Sequence, residues 1–212
     1  MRISGEGSAS AVGRLEPAVA RAGGAVALEA SWRAILEVAH GAVEASRRRL
    51  AGEAVRYQSA GEAIRQIEHF LESLSLETTD LGTIGPRLVR LSHALDHLTE
   101  LDNDLGSIPP VAGDWQPPPG FEAGVRALAA WLDATKDPEA EPAPAIFKTL
   151  EEASKQLSAE RKAGREKLLA DAALQRAPAA TARAGLDTLA WANGAVYHAW
   201  RLAESLRIAS GK

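Results

Sequence analysis

Apolar residues recur through most of this chain at intervals of three and four, the spacing that places side chains on one face of an α-helix. No segment alternates apolar and polar positions over several residues, as a half-buried strand does. The pattern therefore predicts an all-α fold, a helical bundle of about six helices. The predicted helices cover about residues 25–54, 59–76, 86–106, 121–135, 145–174 and 178–209.

Each predicted helix carries a stripe of apolar residues that we expect to face inward. The stripes consist of Leu28, Trp32, Ile35, Ala39, Val43 and Leu50 in the first helix; Ile64, Ile67, Leu71 and Leu74 in the second; Leu88, Leu91, Leu95, Leu98 and Leu105 in the third; Val125, Leu128 and Leu132 in the fourth; Ile146, Leu150, Ala153, Leu157, Gly164 and Leu168 in the fifth; and Leu186, Leu189, Val196 and Trp200 in the sixth.

Capping residues and prolines predict where some of these helices begin. Ser59 followed by Glu62 is a capping-box pattern at the start of the second helix. Pro86 and Pro178 suit the first turn of the third and sixth helices, where a missing backbone N–H costs nothing. The segment at residues 107–120 contains five prolines and two glycines, which exclude a continuous helix there.

Two internal similarities suggest how the helices are grouped. The pattern at residues 64–72 recurs at residues 125–133, and the pattern at residues 94–105 recurs at residues 195–206. We interpret these matches as two related three-helix units of unequal helix lengths. The alternative is that any two amphipathic helices rich in Ala and Leu match this well.

A chain of 212 residues accommodates one or two domains. We predict a flexible lead at residues 1–24, a first three-helix unit at residues 25–106, a Pro-rich linker at residues 107–120 and a second three-helix unit at residues 121–209.

The amino-acid composition argues against several classes of function. The chain has no cysteine, which excludes disulfides, thiolate zinc sites and cysteine nucleophiles. Its 24 Lys and Arg against 28 Asp and Glu give a net charge of -4, which argues against a nucleic-acid partner. No apolar run is long enough to span a bilayer, and the N-terminus lacks the apolar core of a signal peptide. We therefore expect a soluble, cytoplasmic chain.

The third predicted helix carries the densest set of polar side chains. Its members are His93, Asp96, His97, Glu100, Asp102, Asn103 and Asp104. Asp96, Glu100 and Asp104 follow one another at steps of four, so they share a helix face and are candidate ligands for a divalent metal. One helix rarely closes a coordination shell, however, and the alternative is a solvated acidic face with two surface histidines.

Other polar features favour structural interpretations. Glu37 and His40 form an ExxH pair, but a di-iron bundle needs a second such pair and the chain has none, so we expect a surface pair. The arginines at residues 47–49 are typical of a solvated helix face. Asn193 lies beside an apolar stripe and is expected to be a hydrogen-bonded core amide. No serine–histidine–carboxylate set or phosphate-binding glycine motif is present, so no catalytic residue or cofactor is predicted.

Four segments of the chain together resemble one known family. They are AVALEASWRAILEVA at residues 25–39, RLVRLSHALDHLTEL at residues 87–101, LSAERKAGREKLLADAA at residues 157–173 and AWANGAVYHAWRLAESL at residues 190–206. In this order they are similar to segments of the cytoplasmic PhoU-like domain of the sodium/phosphate-cotransporter family. The resemblance covers residues 15–207.

The resemblance implies a PhoU-like helical bundle that is regulatory rather than enzymatic and is linked to phosphate uptake. Such a domain docks on the membrane portion of a transporter, in the same or a neighbouring protein, or on a second copy of itself as a homodimer. The chain is then the C-terminal part of such a protein, tethered to the inner membrane on its cytoplasmic side, or a free-standing relative. The alternative function is a metal-binding bundle that uses the acidic face of the third helix.

The chain departs from the family pattern at two places. The family's Trp-Leu-Asp-Arg is Trp-Ala-Asn-Gly at residues 191–194, so an acidic and a basic position are lost. PhoU proteins hold metal clusters on paired E/DxxxD motifs, one in each repeat. Asp96 and Glu100 fit the first motif, but Tyr197 and Arg201 stand at the matching positions of the second. The resemblance therefore does not imply a full pair of metal clusters.

Overall fold

The structure, a computed structural model, describes residues 15, 23–77, 81–106, 119–137, 143–174, 176 and 178–209. These residues contain α-helices and no strand, which confirms the predicted all-α fold. The helices are α1 (Gly24–Leu50), α2 (Gly61–Glu77), α3 (Leu81–Gly106), α4 (Pro119–Ala134), α5 (Pro144–Ala173) and α6 (Ala179–Ala209).

The six helices pack around one continuous hydrophobic core. α1 contacts α2, α3, α4 and α6, and the most extensive contact between any two helices joins α3 to α6. Because α3 and α6 fall in different halves of the chain, this contact joins the two predicted three-helix units, whose separate existence stays a prediction. None of the helices among the described residues has the length and apolar character needed to cross a membrane.

The predicted apolar stripes form the core. Most of their residues are buried, and the larger ones that are almost completely inaccessible include Leu28, Ile35, Val43, Ile67, Leu91, Leu98, Leu105, Leu128, Leu150 and Leu157. Others are partly buried and pack against that core: Trp32, Leu88, Val125, Ile146, Leu168 and Trp200. Spacing along the sequence therefore identified the inward face of the helices correctly.

The sequence prediction placed the starts of two helices, α3 and α4, at the wrong residues. α3 begins at Leu81, so Pro86 lies inside the helix rather than in its first turn. The helix tolerates this proline because only one backbone hydrogen bond is lost close to its N-terminus. Pro119 and Gly120, predicted to belong to the linker, form the first turn of α4. The remaining linker residues and nearly all of the predicted lead lie outside the described residues.

The first helix ends earlier than predicted. After α1 the chain turns through Gly52, whose φ of 80° lies in the left-handed region that glycine adopts readily. The predicted capping box at the start of α2 forms only in part. The Ser59 hydroxyl oxygen accepts a hydrogen bond from the Gly61 backbone N–H at 3.1 Å, at the first residue of α2. Glu62 forms hydrogen bonds with side chains of its own helix instead of reaching back to Ser59.

Candidate functional site

Polar side chains line part of the interface between α3 and α6. The two helices run antiparallel there, since His97 faces His198 and Asp104 lies against Gly194 further along. We call this region the α3–α6 seam; it consists of His97, Glu100 and Asp104 from α3 and Asn193, Gly194, Tyr197, His198 and Arg201 from α6. It therefore combines parts of two segments that carry the family resemblance.

The two histidines of the seam meet directly. The Nδ1 atoms of His97 and His198 are 3.3 Å apart, and the ring centroids are 5.5 Å apart. Burial lowers the pKa of both imidazoles, and the neighbouring His198 lowers that of His97 further. At neutral pH both rings are therefore mainly in the uncharged form, in which each imidazole keeps one ring nitrogen free of a proton.

Tyr197 packs beside this pair and connects it to the surface. Its ring meets His198 nearly edge-on at a centroid distance of 5.2 Å and His97 at 6.1 Å. On its other side it contacts Trp200 at 5.9 Å, and the Arg201 guanidinium lies 5.3 Å from the Trp200 ring centre. Tyr197 is 39% exposed, so the surface of α6 presents aromatic rings next to an arginine.

Asp104 is held close to the backbone of α6. A Cβ atom at position 194 would lie 2.8 Å from its Oδ2 atom, so glycine at this position leaves room for the carboxylate. Burial raises the pKa of the Asp104 carboxyl group, with His198 acting in the opposite direction and Glu100 raising it further. The absence of a side chain at Gly194 thus allows the close approach of Asp104.

Asn193 does not form the hydrogen bonds expected of a core amide. Its Oδ1 atom is buried and has no hydrogen-bond partner among the described residues, and the same holds for Nε1 of Trp191. α6 is continuous through this region, so its backbone groups are hydrogen-bonded within the helix and supply no partner. The prediction of a fully hydrogen-bonded amide is therefore wrong for this oxygen.

An open groove of about 480 Å³ lies next to the seam. It is lined by Gly61, Ile64, Arg65 and Glu68 of α2, by Asp96, His97, Thr99, Glu100, Asp102 and Asn103 of α3, and by His198 of α6. The histidine pair therefore borders a space that water and small ions reach.

The predicted metal ligands occupy different surroundings. Asp96 is exposed and pairs with His93 at 3.6 Å, Glu100 is exposed, and Asp104 is half-buried against α6. Within the part of the chain that the structure describes, no group of three or more His, Asp or Glu side chains is arranged to hold a metal ion. The assignment of these three carboxylates as ligands stays a prediction.

Asp102 has a structural role that the sequence did not indicate. It is only 5% exposed, and its carboxylate accepts hydrogen bonds from the Tyr57 hydroxyl at 2.6 Å, the Ser59 hydroxyl at 2.6 Å and the Ala60 backbone N–H at 2.8 Å. Burial and the bond to Asp102 raise the pKa of the Tyr57 hydroxyl. This carboxylate therefore holds the segment before α2 against α3 instead of joining a solvated face.

Of the three arginines at the end of α1, Arg49 does not lie on a solvated face. Arg49 donates hydrogen bonds to the carbonyl oxygens of Leu105 at 2.6 Å and Val55 at 2.9 Å. Burial lowers its pKa. Arg49 thus satisfies a carbonyl at the C-terminal end of α3, where helical carbonyls lack partners within the helix.

His40 does not lie on the surface, where the sequence predicted it in a pair with Glu37. It is half-buried, its ring lies 5.4 Å from that of Trp131, and its Nε2 atom is 2.5 Å from Oγ1 of Thr135. The Thr135 hydroxyl donates to the Trp131 carbonyl, so the Nε2–H of His40 donates to Thr135. His40 therefore joins α1 to the end of α4.

No model of a known protein family, no curated protein and no solved structure matches this chain. The resemblance to PhoU-like domains accordingly rests on the four sequence segments alone.

Proposed function

We propose that this chain is a non-enzymatic regulatory domain that docks on a membrane transporter for phosphate. The proposal begins from the resemblance to the PhoU-like domain of sodium/phosphate cotransporters. Its partner is the membrane portion of such a transporter, and its mode of action is a change in transport on docking rather than turnover of a substrate.

The surface of α6 is the observation that supports docking. Tyr197, Trp200 and Arg201 are contiguous there, and tyrosine, tryptophan and arginine are the residues that contribute most to protein–protein binding. Tyr197 keeps 39% of its surface exposed although it packs between other rings. Its side chain is therefore both held in place and accessible to a partner. A rigid aromatic side chain loses little entropy when a partner covers it.

Phosphate uptake in cells that lack this chain provides the test. We expect deletion of the gene to change the uptake of radiolabelled phosphate, and we expect the wild-type chain to restore it. A chain with Tyr197→Ala and Arg201→Ala should fail to restore uptake while keeping its helical circular dichroism spectrum.

Arg126→Ala is the matched control, because Arg126 is an exposed arginine of α4 far along the chain from α6. It should restore uptake fully. Unchanged uptake after deletion would contradict the link to phosphate transport, and full rescue by the double variant would contradict docking through α6.

A further inference from the structure

We propose that His97 and His198 bind a single transition-metal ion of the zinc class between α3 and α6. The two protein ligands are imidazole nitrogens from different helices, and water completes the coordination shell. This inference is independent of the proposed role in phosphate transport, and it uses different ligands from the carboxylates predicted on α3.

The separation of the two nitrogen atoms is the main evidence. Zinc–imidazole bonds of about 2.0–2.1 Å in a tetrahedral shell place two ligand nitrogens roughly 3.3 Å apart. The Nδ1 atoms of His97 and His198 are 3.3 Å apart. The pair therefore has the spacing of two nitrogen ligands on one tetrahedral ion.

The helices and Tyr197 hold the two rings in this arrangement. α3 and α6 share the most extensive helix contact of the bundle, so the backbone positions of the two histidines are fixed relative to one another. Tyr197 packs edge-on against both rings and limits their rotation. A metal ion would therefore bind without a rearrangement of the backbone, which favours affinity.

The surroundings suit a hydrated cation. The adjoining groove of about 480 Å³ gives water access to the pair, and Asp96 and Glu100 add negative charge to its wall. Arg65 lines the same groove but forms an ion pair with Glu62. Imidazole ligands favour zinc, copper and nickel over magnesium and calcium, which prefer oxygen ligands.

The described residues supply the proposed ion with two protein ligands rather than a closed coordination shell. No group of three or more His, Asp or Glu side chains among the described residues is arranged to hold a metal ion. With two protein ligands, a tetrahedral ion at the proposed site keeps two positions for water, one more than the single open position of catalytic zinc sites.

Titration of the metal-free protein with Zn²⁺ tests the site. Isothermal calorimetry should show one ion bound per chain, and saturating Zn²⁺ should raise the Tm because it binds the folded state. Mg²⁺ should do neither. His97→Gln and His198→Gln should each weaken Zn²⁺ binding by roughly tenfold or more, because each removes half of the protein ligands.

His93→Gln is the matched control, since His93 is an exposed histidine on α3 that pairs with Asp96. It should bind Zn²⁺ like the wild type. Unchanged Zn²⁺ binding in His97→Gln and His198→Gln would overturn the proposal, and so would the absence of binding to the wild type.

Imidazole NMR spectra of the wild-type protein keep the proposal testable where a variant fails to fold. Zn²⁺ should shift the ring ¹⁵N resonances of His97 and His198 and leave those of His40, His69 and His93 unchanged. Shifts confined to any of the other histidines would refute the assignment.

Discussion

Asp102 joins the segment before α2 to α3 through a single buried carboxylate. Asp102→Asn leaves one acceptor oxygen for three donors and turns an amide NH₂ toward them. We expect this substitution to lower the free energy of unfolding by about 1–3 kcal/mol, because buried donors lose their acceptor. Urea unfolding monitored by circular dichroism measures the change.

Asp96→Asn is the control for this prediction, since Asp96 is an exposed carboxylate on the same helix. Its effect should stay within roughly 0.5 kcal/mol. Equal effects of the two substitutions would show that the hydrogen bonds to Asp102 contribute little.

His40 should make stability depend on pH. Burial lowers its pKa below the ordinary value of 6.5, the bond to Thr135 acts in the opposite direction, and the positive charge of Lys136 lowers the pKa further. The folded protein therefore binds fewer protons than the unfolded chain between the two pKa values. Stability should fall as the pH decreases through about 6.5 and should level off below the folded-state pKa.

Thermal unfolding of the wild type and His40→Gln from about pH 7.5 to pH 5.5 checks this sign. The variant should lose less stability on acidification than the wild type. His97 and His198 contribute to the slope in both proteins, so the difference between the two curves isolates His40. Parallel curves would mean that His40 gains its proton equally in both states.

Helix ends depend on contacts between elements that lie far apart in the sequence. The N-terminus of α4 is an example, because the Gly120 N–H donates to both carboxylate oxygens of Glu160 on α5, at 2.9 and 2.8 Å. A carboxylate at this position also faces the positive end of the helix dipole. Glu160 therefore acts as a cap supplied by another helix.

Glu160→Ala should lower the free energy of unfolding by about 1 kcal/mol, the usual value of an N-terminal cap. Glu152→Ala makes the same change in helix propensity on α5 but removes only an exposed carboxylate paired with Lys148 at 3.7 Å. The control should therefore cost less than about 0.5 kcal/mol. Chemical denaturation of both variants compares them directly, and a larger loss in the control would contradict the capping role.

The same contacts explain what the sequence predicted and what it did not. The apolar stripes repeat within single helices, so residues such as Leu98 and Leu128 could be assigned to the core from spacing alone. Asp102 and Arg49 find their partners about 40 to 60 positions away, which no local pattern reports. His97 was identified as part of a polar face, but its meeting with His198 depends on how two distant helices pack.

The bundle as a whole depends on the hydrophobic core that its helices share. Leu95 is 5% exposed and Val196 is fully buried, and each lies on the predicted stripe of its helix. An aspartate at either position removes an apolar side chain from the core and buries a charge with no partner. Because a natural domain is stable by only about 5–15 kcal/mol, a cost of several kcal/mol in this shared core affects every helix.

Leu95→Asp and Val196→Asp should therefore each unfold the whole bundle rather than one half of it. Circular dichroism should lose the helical signal, and size-exclusion chromatography should show an expanded or aggregated chain. Val89→Asp is the control, since Val89 is a 53% exposed apolar residue of α3 and its substitution should leave the fold intact. If α1, α2 and α3 instead stay folded in Val196→Asp, the two three-helix units are independent, and the shared core does not unite them.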